Sequence, residues 1–244
     1  MLDQQTVDKL KSMRLNGMAE AFLNQIKQPA NVALSFEERL GLLVDYEWTK
    51  RQNRRLARLL KYASFKFQAC MEDIDYHHPR GLDRAVMESL STCQWILSAR
   101  NVIITGPSGV GKTYLVCALG TQACRQGLSV RYFQLSKLLV ELLMARGDGT
   151  YPKFLNTLAK TDLLILDDFG LAPLNAAESR DILEIIDDRS RRRSTAVAAQ
   201  LPIEHWHDRI ADPTVADAIL DRLVHDSHKL ALKGESMRKL SNQP

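Results

Sequence analysis

Eight consecutive residues, Gly106-Pro107-Ser108-Gly109-Val110-Gly111-Lys112-Thr113, follow the pattern G-x-x-x-x-G-K-[ST], whose chemistry is the binding of polyphosphate. Glycines at this spacing let a loop wrap closely enough for backbone amides to surround phosphate oxygens. The helix that follows adds partial positive charge at its N-terminus. Lys112 is placed to reach the β- and γ-phosphates of ATP, and the Thr113 hydroxyl to bind Mg²⁺. Further along, Leu163-Leu164-Ile165-Leu166 runs into Asp167-Asp168. An apolar strand that ends in carboxylates supplies acid where open α/β sheets bind ligands. Asp167 would hold Mg²⁺, directly or through water, and Asp168 would polarise the attacking water. Alone, two acids at a strand end read better as a cap; beside the phosphate loop they read as the acidic half of a nucleotide site.

The elements that must position these groups are legible from Asn101 onward. Apolar runs NVIITG, SVRYFQL, DLLILDD, STAVAAQ and HKLAL alternate with amphipathic segments at Lys112 to Gln126, Lys137 to about Ala145, and Ala176 to Arg189. Gly127 stops the first segment, and an Asn-x-x-Glu start at Asn175 and Glu178 opens the last. Strands alternating with helices predict a doubly wound α/β fold, a parallel sheet covered on both faces. Residues 1–72 instead read as an all-helical N-terminal region, with helices over Thr6 to Gln28 and from Ser35 to about Cys70, the second opened by a Ser35/Glu38 capping box. Residues 73–244 then form the nucleotide domain, entered through a linker, DIDYHHPRGL, and a docking helix over Asp83 to Leu97.

The order of phosphate loop, acidic strand and STAVAAQ resembles the AAA+ ATPases. In detail the chain resembles the IstB-like transposition helper ATPases of insertion sequences, relatives of DnaC-type helicase loaders. MRLNGMAEAF, DYHHPRGLD, GPSGVGKTYL, LDDFGLAPL, QLPIEHWH, ADPTVADAILDRLVH and LKGESMR carry this resemblance over nearly the whole chain. It implies that Gln200 is the sensor I residue, Arg222 an arginine finger donated to a neighbouring subunit, and Arg238 the sensor II arginine at the nucleotide. It also implies a homo-oligomer, ring or helical, that binds DNA and engages a transposase. Two positions depart from the pattern: Asp168 stands where AAA+ enzymes carry glutamate, and Ala199 precedes Gln200 where a hydroxyl is usual. The same residues also suit a replicative helicase loader, or a nucleotide-dependent DNA scaffold with little turnover.

Between Lys50 and Lys66 lie seven basic residues and no acid. On a helix Arg51, Arg54, Arg55, Arg58 and Lys61 share one face and Leu56, Leu59, Leu60 and Ala63 the other. With Lys50 they form a stripe able to follow a phosphate backbone without reading bases, as the resemblance also implies. A second run, Arg189 and Arg191 to Arg193, reads as a solvated turn. The six histidines have no metal-ligand spacing, the four cysteines no C-x-x-C pair, and no G-x-S-x-G elbow is present. Cys117 and Cys124, like Trp95 and Trp206, read as core residues. With 45% hydrophobic and 25% charged residues, no run long enough for a bilayer and no signal-peptide core, the chain is expected to be globular and cytoplasmic.

Overall fold

The computed structural model describes residues 2–27 and 34–237, and the chain divides into two compact units, 1–58 and 59–244. In the first, α1 (Leu2–Ser12) and α2 (Asn16–Lys27) stand where one helix over 6–28 was expected. The break is a Schellman turn on a non-glycine residue: Arg14 takes φ 61°, the Arg14 amide donates to Lys11 O, and the Leu15 amide donates to Leu10 O. α3 (Phe36–Ala63) begins with the expected box, in which Glu38 N donates to Ser35 Oγ and Ser35 N to the Glu38 carboxylate. It stops short of Cys70 because Ser64 turns left-handed, at φ 58°.

Glu47 of α3 is 5% exposed and caps α2, accepting from the Gly17 amide at 2.5 Å and the Met18 amide at 3.0 Å. A carboxylate at a helix N-terminus answers the unpaired amides there. Burial by itself would raise the Glu47 carboxyl; the bonds from Arg51 and from the Met18 and Gly17 amides outweigh it and hold the group below its ordinary range.

The second unit is a three-layer α/β domain. Its strands are β1 (Asn101–Thr105), β2 (Val130–Gln134), β3 (Leu163–Phe169), β4 (Ser194–Ala199) and β5 (Ser227–Ala231), all parallel, in the order β2-β3-β4-β1-β5. All five lie on the expected apolar runs. Every residue of β4 is buried, as both covered faces of a central parallel strand require, whereas edge strand β5 buries Leu230 alone. The helices are α4 (Arg84–Ser91), α5 (Gln94–Leu97), α6 (Lys112–Arg125), α7 (Leu135–Gly147), α8 (Tyr151–Lys160), α9 (Ala176–Arg189) and α10 (Pro213–Val224).

The docking helix expected over 83–97 is two pieces, α4 and α5, because Cys93 is left-handed at φ 58°. α8 and α10 were not anticipated. α9 carries the complete Asn175/Glu178 capping box. Cys93, Cys117 and Cys124 are buried, and burial pushes their thiols up to about 11, 11 and 12. Trp95 and Trp206 are core residues at 4% and 0% exposure.

Arg189 is not in a solvated turn: it is 1% exposed, and its guanidinium donates to Leu158 O, Thr161 O, Ser194 O and Thr195 Oγ1, tying the end of α8 to the start of β4. Only Arg191 to Arg193 are exposed. No helix among the described residues is long and apolar enough to cross a membrane.

Candidate nucleotide site

β1 delivers the chain to the phosphate loop, and three glycines there adopt backbone that side chains disfavour: Gly106 at φ 149°, Gly109 at 86° and Gly111 at 96°. Space as well as conformation demands glycine, since a Cβ on Gly106 would lie 2.6 Å from Leu232 O. α6 opens immediately at Lys112, directing its first amides into the loop. Lys112 is 7% exposed and its Nζ donates to Pro107 O at 2.7 Å, so the ammonium is already folded over the loop.

β1 lies one strand away from β3, with β4 between, and α6, which packs against both β3 and β4, carries the end of the loop to the acids. Thr113, in its first turn, donates from Oγ1 to the Asp167 carboxylate at 3.0 and 2.9 Å. Adjacent residues of a regular strand face opposite sides. Here β3 has a bulge: Leu166 pairs with Val197 and Phe169 with Ala199, leaving one extra residue on β3. Asp168 is left-handed at φ 57°, and the kink turns it into the cleft beside Asp167. Phe169 anchors the bulge from below against the Trp206 ring, centroids 4.7 Å apart.

Sequence reasoning missed two residues of β2. Tyr132 donates from Oη to Asp167 Oδ2 at 2.7 Å; its burial, reinforced by that bond, pushes its pKa far above the ordinary phenol range, so it remains a donor. Gln134 donates from Nε2 to Asp168 Oδ2 at 2.8 Å. The pairing of β2 with β3 puts Gln134 opposite Asp167; no local motif links residues 34 and 35 positions apart.

A cleft of about 620 Å³ joins Ser108, Gly109, Lys112, Thr113, Asp168 and Gln200. Asp167 lies beneath it at 1% exposure. The structure therefore brings together the phosphate loop, both acids and Gln200. Arg222 is elsewhere. The Asn101 side chain, at the start of β1, donates to Arg222 O at 2.9 Å, whereas the phosphate loop follows the end of β1, about 13 Å further by strand rise alone. The Arg222 guanidinium donates from Nε to Asp187 at 2.6 Å and lines a separate polar cleft of about 630 Å³ with Arg191 and Arg192. Arg238 lies outside the described residues.

The basic stripe is exposed at Arg51, Arg54, Arg55, Arg58 and Lys61, and half-buried at Lys50. Lys50 pairs with Glu20, and Arg51 and Arg54 with Glu47 at 2.6 and 3.7 Å. Among the described residues no cluster of His, Cys, Asp and Glu could hold a metal by itself.

A parallel five-stranded sheet with a phosphate loop after its first strand and a paired threonine and aspartate across the switch defines an AAA+-type nucleotide-binding domain. Solved structures agree at the level of fold: DnaI (TM-score 0.59, 18% identity, 72% of this chain and 93% of that one) and the DnaC helicase loader (0.53, 20%, 68% and 97%). The chain belongs to the family of IstB-like ATP binding proteins, whose family model matches residues 8–243. Among its relatives, a protein described as an insertion sequence ATP-binding protein of Sinorhizobium fredii is 50% identical over 98% of both chains. The IS21 ATP-binding protein of Pseudomonas aeruginosa is 32% identical over 95% of this chain and 86% of its own length.

Proposed function

We propose that this chain is an ATP-hydrolysing transposition helper that assembles on DNA with ATP and engages the transposase of its insertion sequence. The observation that carries this reading is the convergence in one cleft of phosphate loop, Thr113–Asp167 pair, Asp168 and Gln200, in a chain whose family is named for insertion sequences. Phosphates would lie on the loop amides and Lys112. Thr113 and Asp167, already adjacent, are the oxygen donors a small hard cation takes, and bound Mg²⁺ would neutralise phosphate charge. Asp168 would take the proton of the attacking water, with Gln200 orienting it. Gln134 holds Asp168 through one carboxylate oxygen and leaves the other to act.

Tyr132 supports the metal side of this reading, since donors to a ligating carboxylate fix its orientation. Tyr132→Phe should raise the Mg²⁺ concentration for half-maximal hydrolysis about 10- to 100-fold, with little change in metal-free nucleotide affinity. An unchanged Mg²⁺ dependence would remove Asp167 from that role.

For DNA, Arg55, Arg58 and Lys61 give the cleaner test, because stripping Arg51 or Arg54 from Glu47 leaves a buried carboxylate short of its counter-charge. Hydrolysis should rise when duplex DNA is added to wild type. Neutralising all three should flatten the slope of log K against log salt by up to about 2.7 while basal hydrolysis survives. DNA that neither binds nor stimulates, whatever the salt, would leave only a nucleotide-binding protein. The helicase-loader alternative predicts capture of a replicative helicase in place of the transposase.

A further inference from the structure

Arg80 belongs to the linker block DYHHPRGLD and has been given no role above, yet it is 2% exposed. Its Nη1 donates to Val110 O of the phosphate loop at 2.8 Å and to Met237 Sδ at 2.9 Å, and its Nη2 donates to Asp75 O at 2.8 Å. Three stretches distant in sequence thus meet on one guanidinium. The C-terminal stretch is fastened further by Lys233 N to Arg80 O at 2.9 Å and Met237 N to Gly109 O at 3.0 Å. The guanidinium abuts the start of α6, since a Cβ on Gly111 would come within 2.4 Å of Nη1.

Every one of these partners is neutral. Among the described residues Nε has no partner, and Arg80 enters none of the ion pairs. The Asp75 carboxylate accepts instead from the His77 amide at 2.8 Å. Burial presses the Arg80 pKa down, opposed by the nearby Asp75 carboxylate. A buried cation without a paired anion is costly, and an uncharged donor could bridge two carbonyls. What a guanidinium adds at this place is charge, next to a loop built for a polyanion.

We propose that Arg80 is a positioning residue of the nucleotide site, fastening the linker and the C-terminal segment to the phosphate loop, with its buried charge neutralised by the polyphosphate of the bound nucleotide. The proposal rests on the ATP reading of the loop. It requires that Arg80 favour ligands in proportion to their negative charge, which a purely structural clasp would not do.

The test is equilibrium titration of the full chain with fluorescent ATP and ADP analogues, together with thermal midpoints without nucleotide. Arg80→Gln keeps a donor and drops the charge. It should weaken ATP about tenfold or more and ADP less, lowering the ATP-to-ADP affinity ratio about threefold. A second pair of variants supplies the counter-ion from the protein: Met237→Glu should melt several degrees above Met237→Gln without nucleotide, because it gives Arg80 a carboxylate. Equal losses for ATP and ADP in Arg80→Gln, no loss at all, or a Met237→Glu protein no more stable than Met237→Gln would each overturn the proposal. Failure of the ATP reading itself looks different: wild type would bind neither analogue, or Lys112→Ala would bind both as wild type does.

Discussion

Lys112→Ala loses tight ATP binding, with affinity falling about 100-fold, the upper range for hydrogen bonds to a charged group. Lys112 is the one basic side chain within the phosphate loop. Arg80 cannot take its place, because its Nη groups are committed to the Val110 and Asp75 carbonyls. The Lys112 ammonium donates to Pro107 O at 2.7 Å, folded over the loop, and its truncation removes the charge-assisted bond it would make to phosphate oxygens. The thermal midpoint without nucleotide should barely move, while the rise that saturating ATP produces in wild type should vanish, because stabilisation by a ligand follows its affinity for the folded chain. A Lys112→Ala protein that binds a labelled ATP analogue as tightly as wild type would show that the loop does not cradle phosphate.

How far the chain could be read without coordinates depended on whether each signal was local. The strands were legible because each is a short apolar run closed by turn residues or acids, and the phosphate loop because its glycines, lysine and threonine are contiguous. The capping boxes at Ser35/Glu38 and Asn175/Glu178 were legible for the same reason. Helix ends were legible only where glycine marks them, as at Gly127, whose amide donates to Cys124 O while Leu128 N donates to Ala123 O. The same turn is made by Arg14 and Ala99 at φ 61° and 53°, residues with no left-handed preference, so packing rather than local preference sets those stops. α8 starts at Thr150 without a side-chain cap and with a proline in its first turn, and gave little to recognise. Tyr132, Gln134 and Arg80 acquire their partners only through sheet register or chain crossing. Asp168 could be named but not placed, because a bulge leaves no local pattern in the letters.

Arg222→Ala should leave nucleotide affinity of the dilute protein nearly normal and collapse DNA-stimulated hydrolysis. Arg222 lies at the edge where the strands begin and the phosphate loop at the edge where they end, so within one chain it cannot approach the γ-phosphate. In a head-to-tail assembly the edge that carries Arg222 in one copy can face the nucleotide cleft of the next. There the guanidinium would leave Asp187, an exposed partner whose hold in water is modest, and stabilise the charge that develops during phosphoryl transfer, a contribution worth about 10³- to 10⁵-fold in rate. Mixing the variant with Lys112→Ala makes the argument decisive. Each protein lacks a different half of the shared site, and a Lys112→Ala copy can lend Arg222 to an Arg222→Ala neighbour whose phosphate loop is intact. Activity should return on mixing, passing through a maximum as the ratio is varied, provided gel filtration shows both variants in one assembly. Proven co-assembly without recovered hydrolysis at any ratio would mean that Arg222 does not act across subunits, and the Asp187 ion pair would then be its role.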